Sequence, residues 1–179
     1  MQSSRRRQTG ITLVEQLVTA SIAGVLAVSS LPGLDEAKTR RRLEGTAAQL
    51  ESELQFARSS AVARGETVRV AFFDTAAGSC YVIHTGRPRD CRCEVDGSAQ
   101  CTDGAQVVRS VGFVAADGMR VSSSADQVGF DADHGTATPT TTVQLQNRRG
   151  DALRLIVNVM GRIRSCSIGA SVPGVPACS

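Results

Sequence analysis

Arg5-Arg6-Arg7-Gln8-Thr9-Gly10-Ile11-Thr12-Leu13-Val14-Glu15 leads into an apolar run that reaches Leu31 and stops at Pro32-Gly33. The 21 residues from Ile11 to Leu31, rising about 1.5 Å each in an unbroken helix, span roughly the 30 Å hydrocarbon core of a bilayer. Only Glu15 is charged within that run. An acidic side chain at the centre of a membrane helix costs about 2.5–3.5 kcal/mol on insertion scales, and less near an end, so Glu15 needs a reason to be there. A secretory signal has a shorter apolar core, about 7–15 residues, with its small-residue cleavage site on the far side. Here the small residue, Gly10, precedes the apolar run.

This order of basic residues, Gly, Thr-Leu-Val-Glu and an apolar helix resembles the class III signal of type IV pilins and pseudopilins. The resemblance implies cleavage after Gly10 by a prepilin peptidase on the cytoplasmic side, methylation of the new amino terminus at Ile11, and retention of the helix. Glu15 becomes the fifth mature residue, with the implied role of pairing with the cationic amino terminus of a neighbouring subunit. A carboxylate and an ammonium that meet at low dielectric relieve each other's desolvation, so a costly charge becomes a register pin. Pro32 falls where pilins commonly carry a proline, whereas Ile11 departs from the Phe most members have there. The competing reading is a signal anchor that is never cleaved.

A chain of 179 residues has room for one membrane helix and one globular domain of about 110–140 residues. The net charge of +3 comes from three Arg in the leader, leaving 17 basic against 17 acidic side chains after Gly10. Global charge therefore names no partner. Arg5 to Arg7 hold the amino terminus in the cytoplasm, so the domain is expected on the periplasmic side of a bacterial inner membrane. Six cysteines, from Cys80 onward, then read as disulfides. Cys166 pairs best with Cys178, closing a loop that holds Gly169, Pro173, Gly174 and Pro176. Cys91 and Cys93 are too close to suit each other, and the pairing among Cys80, Cys91, Cys93 and Cys101 stays open. A zinc site from Cys91, Cys93, Cys101 and His84 would want C-x₂₋₄-C spacing, which C-x-C lacks.

The chain divides into a leader (1–10), a transmembrane or filament-core helix (11–31), an amphipathic continuation (32–64) and an exported β-rich domain (65–179). In the continuation Leu43, Ala47, Leu50, Leu54, Ala57 and Ala61 recur at helical spacing, Glu53 and Arg58 are among the residues supplying charge, and Arg64-Gly65 is the stop. A bend is expected near Pro32. Strands are expected over 67–73, 80–85, 107–114, 119–122 and 127–130, with loops over 85–105 and 131–139. The clearest hairpin joins 141–146 to 152–159, where Leu153, Leu155, Val157 and Val159 share one face. That face should cover the helix stripe, giving an α+β, type IV pilin-like domain of one long helix packed on an antiparallel sheet, with a disulfide-rich loop.

Phe56 to Gly65 followed by a Val-rich strand, and Gly161-Arg162-Ile163-Arg164 beside a late cysteine, resemble the GspH/FimT family of minor pilins and pseudopilins. Such proteins sit at the tip of type IV pili and help initiate assembly, or occupy the equivalent place in a type II secretion pseudopilus. Some bind DNA during natural transformation through a basic G-R-x-R segment, here Gly161, Arg162 and Arg164. If the strand runs through them, Arg162 and Arg164 share a face about 6–7 Å apart. Arg148, Arg149 and Arg154 are close in sequence, and from Leu145 to Ser179 there are five Arg and one Asp. Arginine forks suit phosphate bidentately, so double-stranded DNA is the partner such a patch would take, in salt-sensitive fashion. No aromatic lies in that segment, which argues against base stacking. The plainer reading is a strand end with solvated arginines.

No catalytic constellation is found. His84 and His134 read as surface or satisfied polar residues, and Asp131-Ala132-Asp133-His134 lacks further ligand spacing. The chain is expected to be a non-enzyme without cofactor or metal, assembling with other pilins or pseudopilins.

Overall fold

The computed structural model describes residues 12–102 and 104–178, with the backbone alone for 27–34. Gly10 and Ile11, the expected processing site, lie outside the described residues, as does the Pro32 side chain. The chain forms two compact units, residues 1–38 and 39–179.

One helix, α1, runs from Leu13 to Arg64. At its start the Thr12 hydroxyl accepts the Glu15 N–H at 3.3 Å, a Thr-x-x-Glu beginning that also places an acid in the first turn, where the helix dipole favours it. Leu13, Leu17, Val18, Ile22, Val25 and Leu26 are all exposed. Among the described residues no helix is long and apolar enough to cross a membrane. The span read from the sequence, 11–31, takes in Ile11 and the side chains of 27–31, which lie outside the described residues.

In the second unit the helical stripe Leu43, Ala47, Leu50, Leu54, Ala57 and Ala61 is buried. Each buried Leu contributes about 1.5–3 kcal/mol of transfer free energy. The helix ends at Gly65, φ +65°, where the Glu66 N–H donates to the Ala61 carbonyl at 3.3 Å. This is a Schellman-type stop that glycine adopts without a Cβ penalty.

Two antiparallel sheets enclose that stripe. The first contains β1 (Val68–Thr75), β2 (Gly78–Thr85), β5 (Val107–Val114), β7 (Gln127–Phe130) and β8 (Ala137–Thr138) in the order β5-β2-β1-β7-β8. The second contains β6 (Met119–Ser123), β9 (Thr141–Asn147), β10 (Ala152–Val157) and β11 (Ile163–Ser167) in the order β11-β10-β9-β6. Val70, Tyr81, Ile83, Val128 and Phe130 of one sheet join Val143, Leu145, Leu153, Leu155 and Val157 of the other and the helix stripe in one core.

Several expectations are corrected. Residues 85–105, read as a loop, carry a third ladder, β3 (Cys91–Cys93) paired with β4 (Ala99–Cys101). Disulfides Cys80–Cys93 and Cys91–Cys101 hold it on the first sheet, over a small core of Ala71, Cys80, Val82, Cys91 and Cys93. Covered on both faces, β2 is buried at every position, and a strand buried on both faces shows no polar alternation. Cys166 is joined to Cys178. Residues 131–139 include the short strand β8. β10 ends at Val157, so Val159 stands 56% exposed in a turn instead of sharing the buried face. Glu53, counted with the charged positions of the helix, is buried. His84 is fully buried too, its Nδ1 2.9 Å from the Thr85 carbonyl and its Nε2 without a partner among the described residues.

Candidate functional site

The candidate site grows from the β10–β11 hairpin. Leu153, Leu155 and Val157 turn into the core, which sends Arg154 and Ile156 to the opposite face. In the antiparallel register Arg154 lies opposite Cys166, and Ile156 opposite Arg164. Arg154 and Arg164 are therefore diagonal neighbours on one outer face, with backbones about 7–8 Å apart. Arg162 precedes β11, which begins at Ile163, so the expected two-residue strand spacing does not hold. It is fixed in another way: its N–H donates to Asn158 Oδ1 at 2.9 Å, and its carbonyl accepts the Asn158 N–H at 3.1 Å. Among the described residues no ion pair engages Arg154, Arg162 or Arg164, and the last two are exposed.

Gly161 sets the position of that turn. It is buried with φ +68°, and a Cβ there would lie 2.7 Å from Arg58 Nε and closer still to the Gly135 carbonyl oxygen. Arg58 Nε in turn donates to that carbonyl at 2.9 Å, and the Val159 carbonyl accepts the Ala137 N–H at 2.9 Å. Helix, β7–β8 segment and turn are thus bolted together, with Arg162 launched from the joint.

Beside the joint a groove of about 940 Å³ runs between the helix residues Gln55, Phe56 and Val62 and the turn residues Gly161, Arg162 and Ile163. Phe56 and Val62 are each 48% exposed. Sequence reading could not find this, because Phe56 and Arg162 are separated by most of the domain.

Arg148 and Arg149 belong elsewhere. They sit in the β9–β10 turn, where Asn147 Oδ1 accepts the N–H groups of Arg149 and Asp151 at 2.9 and 3.0 Å, while the Arg148 stem lies over Gly118. That turn is at the other end of β10 from Arg162, about 20 Å away for a strand of this length. The five arginines fall into a group of three and a pair.

Two further clusters are structural. Glu53 accepts hydrogen bonds from the Tyr81 hydroxyl at 2.6 Å and from Gln49 at 2.9 Å, and pairs with Arg109 at 2.7 Å. Burial, reinforced by the Glu53 carboxylate, holds the Tyr81 phenol far above its usual range. In the 131–136 loop both Asp131 carboxylate oxygens are engaged, accepting the N–H groups of Asp133 and His134 at 2.9 Å and the N–H and hydroxyl of Thr136. Those bonds, that from the Thr136 side chain first, hold Asp131 well below the usual carboxylate range.

The family model described as type II transport protein GspH matches residues 46–161. No curated protein matches the chain. Among solved structures, the Pseudomonas aeruginosa type IV minor pilin FimU is 19% identical in one crystal form, covering 70% of this chain and 88% of FimU at a TM-score of 0.51. A second FimU crystal form gives 16% identity, 74% and 98% coverage, and 0.50. The minor pseudopilin EpsH of the Vibrio cholerae type 2 secretion system is 12% identical, with 69% and 95% coverage and 0.49. At these identities FimU speaks for the fold alone. The family match ends at Gly161, so Arg162, Arg164 and the Cys166–Cys178 loop lie beyond it.

Proposed function

The chain belongs to the GspH family of type II transport proteins, and from that membership we propose that it is a minor pilin or pseudopilin subunit of a type IV pilus or a type II secretion system. Cleavage after Gly10 frees Ile11 as the methylated amino terminus, and the helix passes from the inner membrane into a filament, where the subunit sits at or near the tip. The observation that carries this reading is the row of exposed apolar side chains from Leu13 to Leu26, interrupted by the single carboxylate of Glu15. In water such a row is unfavourable by the ordinary area cost of apolar surface, and lipid or neighbouring helices remove that cost. Glu15, whose carboxylate has no partner among the described residues, then pairs with a neighbour's terminal ammonium. The chain performs no chemistry in this reading; it is the substrate of the peptidase and the methylase.

The test is Glu15→Ala in cells that also express the other subunits. Incorporation into sheared filaments should fall to background while the membrane level of the protein is kept; unchanged incorporation would refute the charge pairing. Deleting the gene separates the two machines, since loss of piliation points to the pilus and loss of exoprotein release to secretion.

DNA capture is carried by a different observation, the three arginines Arg154, Arg162 and Arg164 on one hairpin with no ion pair among the described residues. Their forks contact phosphates regardless of sequence. Titrating the full-length chain in detergent micelles with duplex DNA at low and physiological salt tests it. Binding should weaken with salt and collapse in the Arg162→Ala, Arg164→Ala variant. A variant that binds as well as the parent would remove the arginines from the site.

A further inference from the structure

We propose that the groove between α1 and the β10–β11 turn is a nucleobase subsite, in which Phe56 stacks an unpaired base while Arg162 holds the adjacent phosphate. The inference rests on the DNA reading above and adds to the arginine–phosphate contacts one that only strands with unpaired bases can make.

Three observations converge. Phe56 is the one aromatic side chain in the exposed class among the described residues; Phe72, Tyr81 and Phe130 are buried. It lies in the same groove as Arg162, which has no ion pair among the described residues and is held by Asn158 on both its backbone groups. At about 940 Å³ the groove is large enough for a nucleotide. A ligand for it must be flat and apolar in one part and anionic in the next. A single strand repeats that alternation along its length. A duplex presents only phosphates to this surface, since its bases are stacked on one another. Gln55, an amide that both donates and accepts, borders Phe56 and suits the edge of any base, so the subsite would be tolerant of sequence.

The experiment uses the full-length chain in detergent micelles with a fluorescein-labelled oligo-dT, and the same strand annealed to oligo-dA, read by anisotropy. Phe56→Ala should weaken oligo-dT binding at least about five-fold, the low end of what loss of one base–aromatic stack brings, and should leave duplex binding within about two-fold. Phe56→Tyr, which keeps the ring, should restore oligo-dT binding. Arg162→Ala with Arg164→Ala should weaken both ligands and lower the salt slope for the single strand by about 1.4. Equal effects of Phe56→Ala on both ligands, or no effect on oligo-dT, overturn the stacking inference while arginine-dependent duplex binding keeps the DNA reading. Absence of binding to either ligand at low salt overturns both. Phe56 is half-exposed, so its variants are expected to fold; a circular dichroism spectrum matching the parent is the control.

Discussion

Gly161→Ala is the sharpest test of how the candidate site is held. The residue sits at φ +68°, a left-handed conformation that costs a residue with a Cβ about 1–2 kcal/mol. The added methyl would come within 2.7 Å of Arg58 Nε and 2.9 Å of Arg58 Cδ, with the Gly135 carbonyl oxygen nearer still. The guanidinium can swing away, at the cost of its 2.9 Å hydrogen bond to Gly135; the carbonyl belongs to the backbone and cannot. Overpacking of this kind costs typically about 1–3 kcal/mol, so the total is about 2–5 kcal/mol. For a domain of this size each kcal/mol lowers Tm by about 2–4 °C, which gives a fall of about 4–20 °C in a thermal melt of the full-length chain in micelles. Arg58→Ala removes one of the two obstacles, so in that background Gly161→Ala should cost about 1 kcal/mol less than in the parent. A Tm within about 1 °C of the parent, or strict additivity with Arg58→Ala, would refute the account of the joint.

Other expectations follow from the same geometry. Glu53→Ala strands the Tyr81 hydroxyl and frees Arg109, and should cost about 2–4 kcal/mol in a denaturant titration, about 1 kcal/mol below the range of about 3–5 kcal/mol for breaking a buried pair because the Arg109 side chain is 54% exposed; Glu53→Gln should cost less, since an amide oxygen can still accept from Tyr81. His84 is kept neutral by burial, which lowers its pKa from 6.5 together with the nearby Arg69 and against the Thr85 carbonyl and Asp90. The unfolded chain therefore takes up a proton on this residue more readily than the folded one, so the stability it contributes is present above pH 6.5 and declines as pH falls below it; unfolding midpoints of the parent and His84→Gln should converge or cross toward lower pH. Replacing Cys166 and Cys178 together by Ser should cost about 2–3 kcal/mol, as expected for a link closing a loop of this size, and hydrogen exchange should quicken between Ser171 and Ala177 without change in α1.

Local patterns carried much of this. The six-residue helix stripe, the stop at Gly65 and most strands were legible because burial on one face of a periodic element leaves a periodic trace. The short elements β3, β4 and β8 were missed: two or three residues are too few to show a period, and β3 and β4 are held by disulfide geometry as much as by their own propensity. Glu53 was misplaced for a related reason. A carboxylate in an amphipathic helix reads as solvated, and its burial is decided by Tyr81 and Arg109, which arrive from two other strands. The arginine segment was legible as charge and as a G-R-x-R resemblance, but not its spacing, since β11 begins only at Ile163 and leaves Arg162 in the turn.

What the sequence by itself determined is the order of its stretches: three arginines ahead of an apolar run with one acid near its start, then an amphipathic helix with a glycine stop, and a β-rich domain with six cysteines. These follow from composition and from spacing along one element, which a linear string preserves. Only the tertiary structure decided that Arg154 and Arg164 share a face while Arg148 and Arg149 stand at the other end of the strand, and that Phe56 meets Arg162 across a groove. Antiparallel register and the seating of the helix set those meetings, and both depend on pairing between residues far apart in the chain, which no local period encodes.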